Sequence, residues 1–163
     1  MSRVRRCAVL LVATIAAAVA AGPGLTTRTA GCTARGGLPD AACTPGAALR
    51  GVRAADVCRP GYASSVRNVP VSVKRIVFAA YGVSGPNLGK RYEIDHLISL
   101  ELGGSNAVSN LWPEAARPKP GFREKDRVEN LLHREVCAGT ISLSRAQLLI
   151  RHKWLDVFQT LEP

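Results

Sequence analysis

The chain contains few aromatic residues and few acidic ones. Aromatic side chains occupy only 5% of the 163 positions, so a core must consist mainly of leucine, valine, isoleucine and alanine. Only 12 Asp and Glu residues stand against 22 Lys and Arg residues, which gives a formal net charge of +10. With 47% hydrophobic and 21% charged residues, the composition is globular and excludes a wholly disordered, collagen-like or coiled-coil chain. The length fits one domain, and the positive charge favours nucleic acid, anionic lipid or an acidic envelope polymer as partner.

The amino-terminal apolar run is too short to cross a membrane. Residues 1–6 carry three arginines, residues 7–21 are apolar and uncharged, and Pro23 and Gly24 end the run. A membrane span needs about twenty apolar residues, and this run has about fifteen. The pattern predicts a signal peptide at residues 1–21, cleaved near Ala20 or Ala21, rather than an uncleaved anchor. We therefore expect a secreted, periplasmic or cell-envelope protein without stable membrane insertion.

The sequence has no Cys-x2-Cys pair, which argues against a zinc site. Beyond the predicted signal peptide it has an even number of cysteines, Cys32, Cys43, Cys58 and Cys137. In an oxidising compartment an even set predicts disulfides, although free buried thiols remain the alternative. Cys32 and Cys43 lie close together in the sequence and can join at little cost. Cys58 and Cys137 would then tie the start of the domain to the end of a helix.

The periodicity of the chain divides it into a lead-in and one domain. Residues 22–50 are rich in Gly, Ala, Thr and Pro and predict a flexible lead-in, with a domain over residues 51–163. Apolar spacing predicts helices at residues 73–80, 122–137 and 142–161, and strands at residues 91–100 and 110–112, the second ended by Pro113. The fold class expected from this order is α+β.

One segment carries residues typical of a catalytic site. An Asp95-His96 pair ends the first predicted strand, a Gly103-Gly104 turn follows, and Asn110 begins the second strand, with a helix next. This order resembles the signature of the HNH endonucleases, whose ββα-metal fold is a hairpin packed on a helix. Residues 50–160 also resemble a group of small secreted bacterial proteins with an HNH-like domain. The resemblance implies a small hairpin-plus-helix core with additional helices.

The chemistry of phosphodiester hydrolysis suits these residue types. His96 titrates near neutral pH and can act as the general base that activates water. Asp95 can hold a divalent cation, and its carboxylate oxygens suit Mg²⁺ or Mn²⁺. By resemblance, Asn110 would brace the hairpin and orient the loop of His96. The alternatives are a structural His96 and an Asp95 that caps a turn or pairs with an arginine.

The position of a third metal-binding residue departs from the HNH pattern. The family places His or Asn on the helix eight or nine residues after the middle Asn, and that count from Asn110 reaches Pro118 or Lys119. The helical ligand must therefore lie further along. Asn130 is the expected ligand, with Asp126 one turn earlier on the same face. Glu129 and His133 are weaker candidates, and all of these residues are otherwise an ordinary solvated helix face.

Basic residues cluster beside the predicted site. They are expected to follow a nucleic-acid backbone, unless they are ordinary surface charge, and they make binding salt-dependent. The predicted contacts are Arg117, Lys119, Arg123, Lys125 and Arg127.

Two functions follow from the sequence. The first is an exported metal-dependent endonuclease of low sequence specificity, with DNA expected ahead of RNA as substrate, since no base-reading module is visible. The alternative is a non-catalytic exported module on the same scaffold that binds DNA or an acidic envelope polymer. A basic membrane-surface protein is less favoured, because no basic amphipathic helix stands out.

Overall fold

The computed structural model describes residues 27–162; the predicted signal peptide at residues 1–21 and the first residues of the lead-in lie outside this range. The described chain forms helices and a two-stranded antiparallel sheet, which confirms the α+β class. In chain order the elements are α1 (Ala54–Val57), α2 (Tyr62–Val66), α3 (Val71–Ala80), α4 (Leu88–Arg91), β1 (Tyr92–His96), β2 (Leu111–Ala115), α5 (Phe122–Cys137) and α6 (Leu143–Gln159). Short 3₁₀ turns occur at Leu100–Leu102 and Val108–Asn110, between the strands.

The hairpin is shorter at one end and longer at the other than its sequence pattern predicts. Its register pairs Tyr92 with Ala115 and His96 with Leu111. Beyond His96, the backbone of Ile98 bonds to the side-chain amide of Asn110 instead of a partner strand, so the ladder stops. Pro113 lies inside β2 and does not end it. Both strands are edge strands, where a proline without an N–H is tolerated.

The two long helices form most of the core. The bounds of α5 match its predicted span, and its first turn is closed by Glu124 Oε2, which accepts the Gly121 N–H at 2.9 Å. Ser142 Oγ accepts the Arg145 N–H and so caps the start of α6. Apolar side chains from both helices pack together and are almost fully buried; they include Val128, Leu132, Val136, Ile150 and Trp154. This core fixes α5 behind the hairpin.

Residues 27–50 of the lead-in contain no helix or strand. They are hydrogen-bonded to β2 and to the loop between the strands. The Leu49 N–H donates to the Gly103 carbonyl at 2.8 Å, and Thr44 Oγ1 donates to the Leu111 carbonyl at 3.0 Å. These contacts hold the irregular lead-in against the hairpin.

Both predicted disulfides are confirmed. Cys32 pairs with Cys43 and Cys58 with Cys137, with Cα atoms 6.0 Å and 5.6 Å apart. The second bond spans 79 residues, and the chain-entropy model assigns such a loop about 4 kcal/mol of stabilisation. Two disulfides are typical of a protein that folds in an oxidising compartment. None of the helices within residues 27–162 is long and apolar enough to span a membrane.

Candidate functional site

The loop between the strands depends on two glycines and Asn110. Gly103 has a φ of +75°, which favours glycine, and a Cβ on Gly104 would collide with the Ile98 carbonyl oxygen. The fully buried Asn110 accepts the N–H groups of Ala47 and Ile98 and donates to the carbonyls of Ile98 and Ser105. These bonds hold the loop that follows His96. They are bracing contacts, and in this geometry Asn110 touches no other candidate site residue through its side chain.

His96 ends β1 with its ring in a defined tautomer. His96 Nε2 lies 3.0 Å from Asn106 Oδ1, while Asn106 Nδ2 donates to the Val66 carbonyl at 2.7 Å. Because a carbonyl only accepts, the amide orientation of Asn106 is determined, and its Oδ1 requires a donor from His96. The neutral ring therefore carries its proton on Nε2, and Nδ1 keeps a lone pair.

The environment of His96 keeps the ring neutral. Burial lowers the pKa of His96 below its usual value, against the opposing effects of the Asn106 hydrogen bond and the Asp95 charge, and Arg67 and Lys125 lower it further. A neutral imidazole with a free Nδ1 is the form that accepts a proton from water at neutral pH.

A cleft of about 310 Å³ opens beside His96. Two cationic side chains line it, Arg67 before α3 and Lys74 on α3, and both are exposed. Tyr92 lines this cleft and also a neighbouring cleft of about 570 Å³, which Arg117 and Lys119 line as well. His96, two cations and a neighbouring cleft with further cations therefore lie close together, which suits a polyanionic chain, and Glu93 is the acidic residue of the smaller cleft.

Asp95 lies on the opposite face of β1, in a buried charge cluster with α5. Its Oδ2 accepts a bond of 2.7 Å from the ammonium of Lys125, and its Oδ1 accepts the backbone N–H of His96 at 2.7 Å. Lys125 is fully buried and also donates to the His96 carbonyl at 2.8 Å and to Glu129. Asp95 and Lys125 together thus contact both the N–H and the carbonyl of His96.

The pKa values of the carboxyl groups around Lys125 are shifted in opposite directions. Burial alone would raise the pKa of Asp95, but the Lys125 ammonium and hydrogen bonds from Lys125 and the His96 N–H hold it below its usual value. Burial, with the Asp95 charge, raises the pKa of Glu114 well above its usual value. Burial likewise raises the pKa of Glu129, to about 8. Burial therefore favours the protonated forms of Glu114 and Glu129, whereas Asp95 favours the carboxylate that pairs with Lys125.

The side chains predicted to bind Mg²⁺ or Mn²⁺ do not come together. Asn130 is exposed, and its amide nitrogen donates to the Asp126 carbonyl at 2.7 Å. Burial and the charge of Asp95 raise the pKa of Asp126, but the Asp126 side chain is exposed and makes no hydrogen bond or ion pair with Asp95. The α5 residues that belong to the charge cluster are instead Lys125 and Glu129. Both oxygens of Asp95 are engaged, and these residues do not fit a divalent cation at Asp95.

One group of side chains in residues 27–162 has the spacing of a metal site. The donor atoms of Cys58, His133 and Cys137 lie within 4.8 Å of one another. The two sulfurs are joined in a disulfide, however, and the thiolate is the form that binds metals. The group could bind a metal ion only after the disulfide is reduced.

The predicted nucleic-acid contacts fall into three groups. Lys125 is a correction: it is fully buried and ion-paired, so it has no access to a phosphate. Arg117 and Lys119 line the larger cleft, where Lys119 also pairs with Glu124 at 2.8 Å. Arg123 and Arg127 are exposed on α5, stacked on aromatic rings, and neither lines the cleft of His96.

Sequence reasoning missed four residues that shape the site. Arg67 and Lys74 line the cleft, Asn106 sets the tautomer of His96, and Glu114 completes the buried cluster. Asn106 lies in the same motif as the glycine pair, and its polar side chain was a detectable signal. Arg67 and Lys74 precede the motif in the sequence, and only the packing of α3 against the hairpin brings them to it.

Comparison of the chain with protein-family models, with curated proteins and with solved structures gives no match. The interpretation of the site therefore depends on its own geometry.

Proposed function

We propose that this protein is an exported endonuclease that hydrolyses phosphodiester bonds in the cleft of His96, with little sequence specificity. The observation that carries the proposal is the neutral His96, with its Nε2 proton held by Asn106 and a lone pair on Nδ1, beside Arg67 and Lys74. A general base needs an accepting nitrogen near neutral pH, and a phosphate needs nearby cations.

In this mechanism separate residues bind the phosphate, activate the water and bind the rest of the nucleic acid. Arg67 and Lys74 bind the phosphate and orient it in the cleft. His96 Nδ1 removes a proton from the attacking water, while Asn106 keeps the ring in its orientation. Arg117 and Lys119 bind the nucleic-acid backbone in the neighbouring cleft, which shares Tyr92 with the cleft of His96. Backbone contacts of this kind give binding without sequence readout, for DNA or RNA.

The need for Mg²⁺ or Mn²⁺ stays a prediction from the motif. The non-catalytic alternative, a module that binds DNA or an acidic polymer, is favoured by the engagement of both Asp95 oxygens. The test separates these readings. The purified exported protein is incubated with plasmid DNA and with RNA, in Mg²⁺, in Mn²⁺ and with a chelator.

His96→Ala is expected to lower cleavage by at least about 10²-fold, the usual loss for a general base. His152→Ala, which alters an exposed histidine on α6, is the matched control and is expected to retain full cleavage. Binding of DNA without cleavage by the wild-type protein would support the alternative. Full cleavage by His96→Ala would remove His96 from the mechanism.

A further inference from the structure

The ammonium of Lys125 lies between β1 and α5, where the motif predicts a metal ion. It is 2.7 Å from Asp95 Oδ2 and 2.8 Å from the His96 carbonyl, and it donates to Glu129 as well. A lysine ammonium has three N–H donors, and all three are used. The side chain is 0% exposed, so this cation is a permanent part of the fold.

We propose that the Lys125 ammonium replaces a divalent cation beside Asp95, and that Asp95 is a positioning residue for His96 rather than a metal ligand. The two residues bracket the backbone of His96. Asp95 Oδ1 accepts its N–H at 2.7 Å, and Lys125 donates to its carbonyl at 2.8 Å. This contact on the α5 side fixes the peptide while the ring lies on the other side of the strand.

A divalent cation cannot share this position with Lys125. It would have to take Asp95 Oδ2 from an ammonium that has no exit to solvent, and two cations so close repel strongly in a buried site. Of the two α5 residues predicted as ligands, Asn130 is exposed and donates its side-chain N–H to the Asp126 carbonyl, and the α5 carboxyl that does reach the cluster, that of Glu129, is already bonded to Lys125. Mg²⁺ also requires near-octahedral oxygen ligands and gives up its water reluctantly.

The proposal predicts that removing the ammonium opens a cation site. In Lys125→Ala, the carboxyl groups of Asp95, Glu114 and Glu129 would surround the vacated space without a positive charge. Three carboxyl groups around one space are a ligand set for a hard divalent cation. The substitution therefore creates the metal site that the wild-type protein lacks.

The first measurement is Mn²⁺ binding to the wild-type protein, followed by the Mn²⁺-induced relaxation of the His96 ring protons in NMR. We expect no saturable site that relaxes these protons, and Asp95→Asn is expected to leave Mn²⁺ binding unchanged. Glu93→Gln, which removes an exposed carboxylate two residues earlier on β1, is the matched control for weak surface binding. A stoichiometric Mn²⁺ site near His96 that is lost in Asp95→Asn but kept in Glu93→Gln would overturn the proposal.

The second measurement is the melting temperature with and without Mn²⁺. Because a ligand that binds only the folded state stabilises it, Mn²⁺ is expected to raise the Tm of Lys125→Ala and to leave that of the wild-type protein unchanged. An Mn²⁺-dependent rise in the wild-type protein that Asp95→Asn abolishes would contradict the proposal. If Lys125→Ala does not fold, the NMR measurement on the wild-type protein still decides the question.

The positioning role rests on the proposed function and has its own readout. Asp95→Asn keeps an oxygen that can accept the His96 N–H but loses the charge that pairs with Lys125. We expect a fall in kcat at unchanged KM, together with a downward shift of the His96 titration in NMR, because the Asp95 charge raises that pKa. An unaltered titration and unaltered kcat would overturn it. If His96→Ala retains full cleavage, the proposed function fails, whereas the Mn²⁺ measurements stand independently.

Discussion

The two faces of β1 place neighbouring residues in opposite environments. His96 lies toward α3, beside a cleft lined by the exposed Arg67 and Lys74, and its Nδ1 makes no hydrogen bond to the described residues. Asp95, one residue earlier, lies toward α5, where both of its oxygens are bonded. Since side chains alternate across a strand, adjacent residues separate onto a face that lines the cleft, the open face, and a face covered by α5, the closed face. On the open face the cationic residues are exposed, whereas His96 itself is only 2% exposed. Of the two neighbouring residues, His96 is thus placed to react with a ligand in the cleft, and Asp95 is placed to hold the backbone of His96.

The closed face should be the more costly to disturb. Lys125→Ala leaves a buried carboxylate without its partner, and breaking a buried ion pair in this way typically costs about 3–5 kcal/mol of unfolding free energy. Lys74→Ala on the open face changes an exposed residue, and we expect a change within about 0.5 kcal/mol. Urea unfolding of the two variants measures the difference. Equal losses would show that the two faces do not differ in this way.

The open face should carry the pH dependence of cleavage. Because burial lowers the pKa of His96 below 6.5, activity is expected to rise with pH through that pKa and then level off. Arg67→Gln removes a positive charge that lowers the same pKa, so the acid limb should move to higher pH. A pH profile of kcat/KM measures both. Arg127 is exposed on α5, and Arg127→Gln is the control, which should leave the pH of the acid limb unchanged.

The closed face should instead carry a pH dependence of stability. Burial raises the pKa of Glu129 in the folded protein to about 8, above its ordinary value of 4.5. The folded state then binds more protons than the unfolded state in this range, so the contribution is fully present below about pH 4.5 and is lost as pH rises through 8. Glu129→Gln should remove that decline. The difference between wild-type and variant unfolding free energies, measured at several pH values, isolates the effect, and a constant difference would contradict it.

The smallest expected effect concerns the salt dependence of binding. If Lys74 contacts a phosphate, Lys74→Ala should reduce the slope of log K against log salt by about 0.9 for double-stranded DNA. Arg127 already pairs with Glu162 and lies over the Phe158 ring, so Arg127→Ala should change the slope less. Fluorescence anisotropy with His96→Ala as background measures binding without cleavage. A larger change of the slope for Arg127→Ala would indicate that the nucleic acid binds at α5 and not at the open face.

The sequence pattern was most informative where the signal is local. The bounds of α5 and the two disulfide pairs were predicted correctly, because periodicity and cysteine spacing are visible in the sequence itself. The exposure expected for Lys125 was wrong, because its burial arises from contacts with a strand about thirty residues earlier in the chain. The hydrogen bonds that join residues 27–50 to the hairpin likewise connect segments distant in the chain.

The amino-acid pattern was enough to predict a basic α+β protein with disulfides, a hairpin that carries Asp95 and His96, and a long helix after it. Which side chains meet at these two residues depends on how the helices pack against the hairpin. The rotation of α5 turned Lys125 and Glu129 toward Asp95 and left Asn130 in solvent, and the packing of α3 brought Lys74 to His96. A helical residue advances by about 100°, so one position along α5 separates a buried ammonium from an exposed carboxylate. That rotation is set by the core residues Val128, Leu132 and Val136 packing against α6, and the identity of the charged residues does not reveal it.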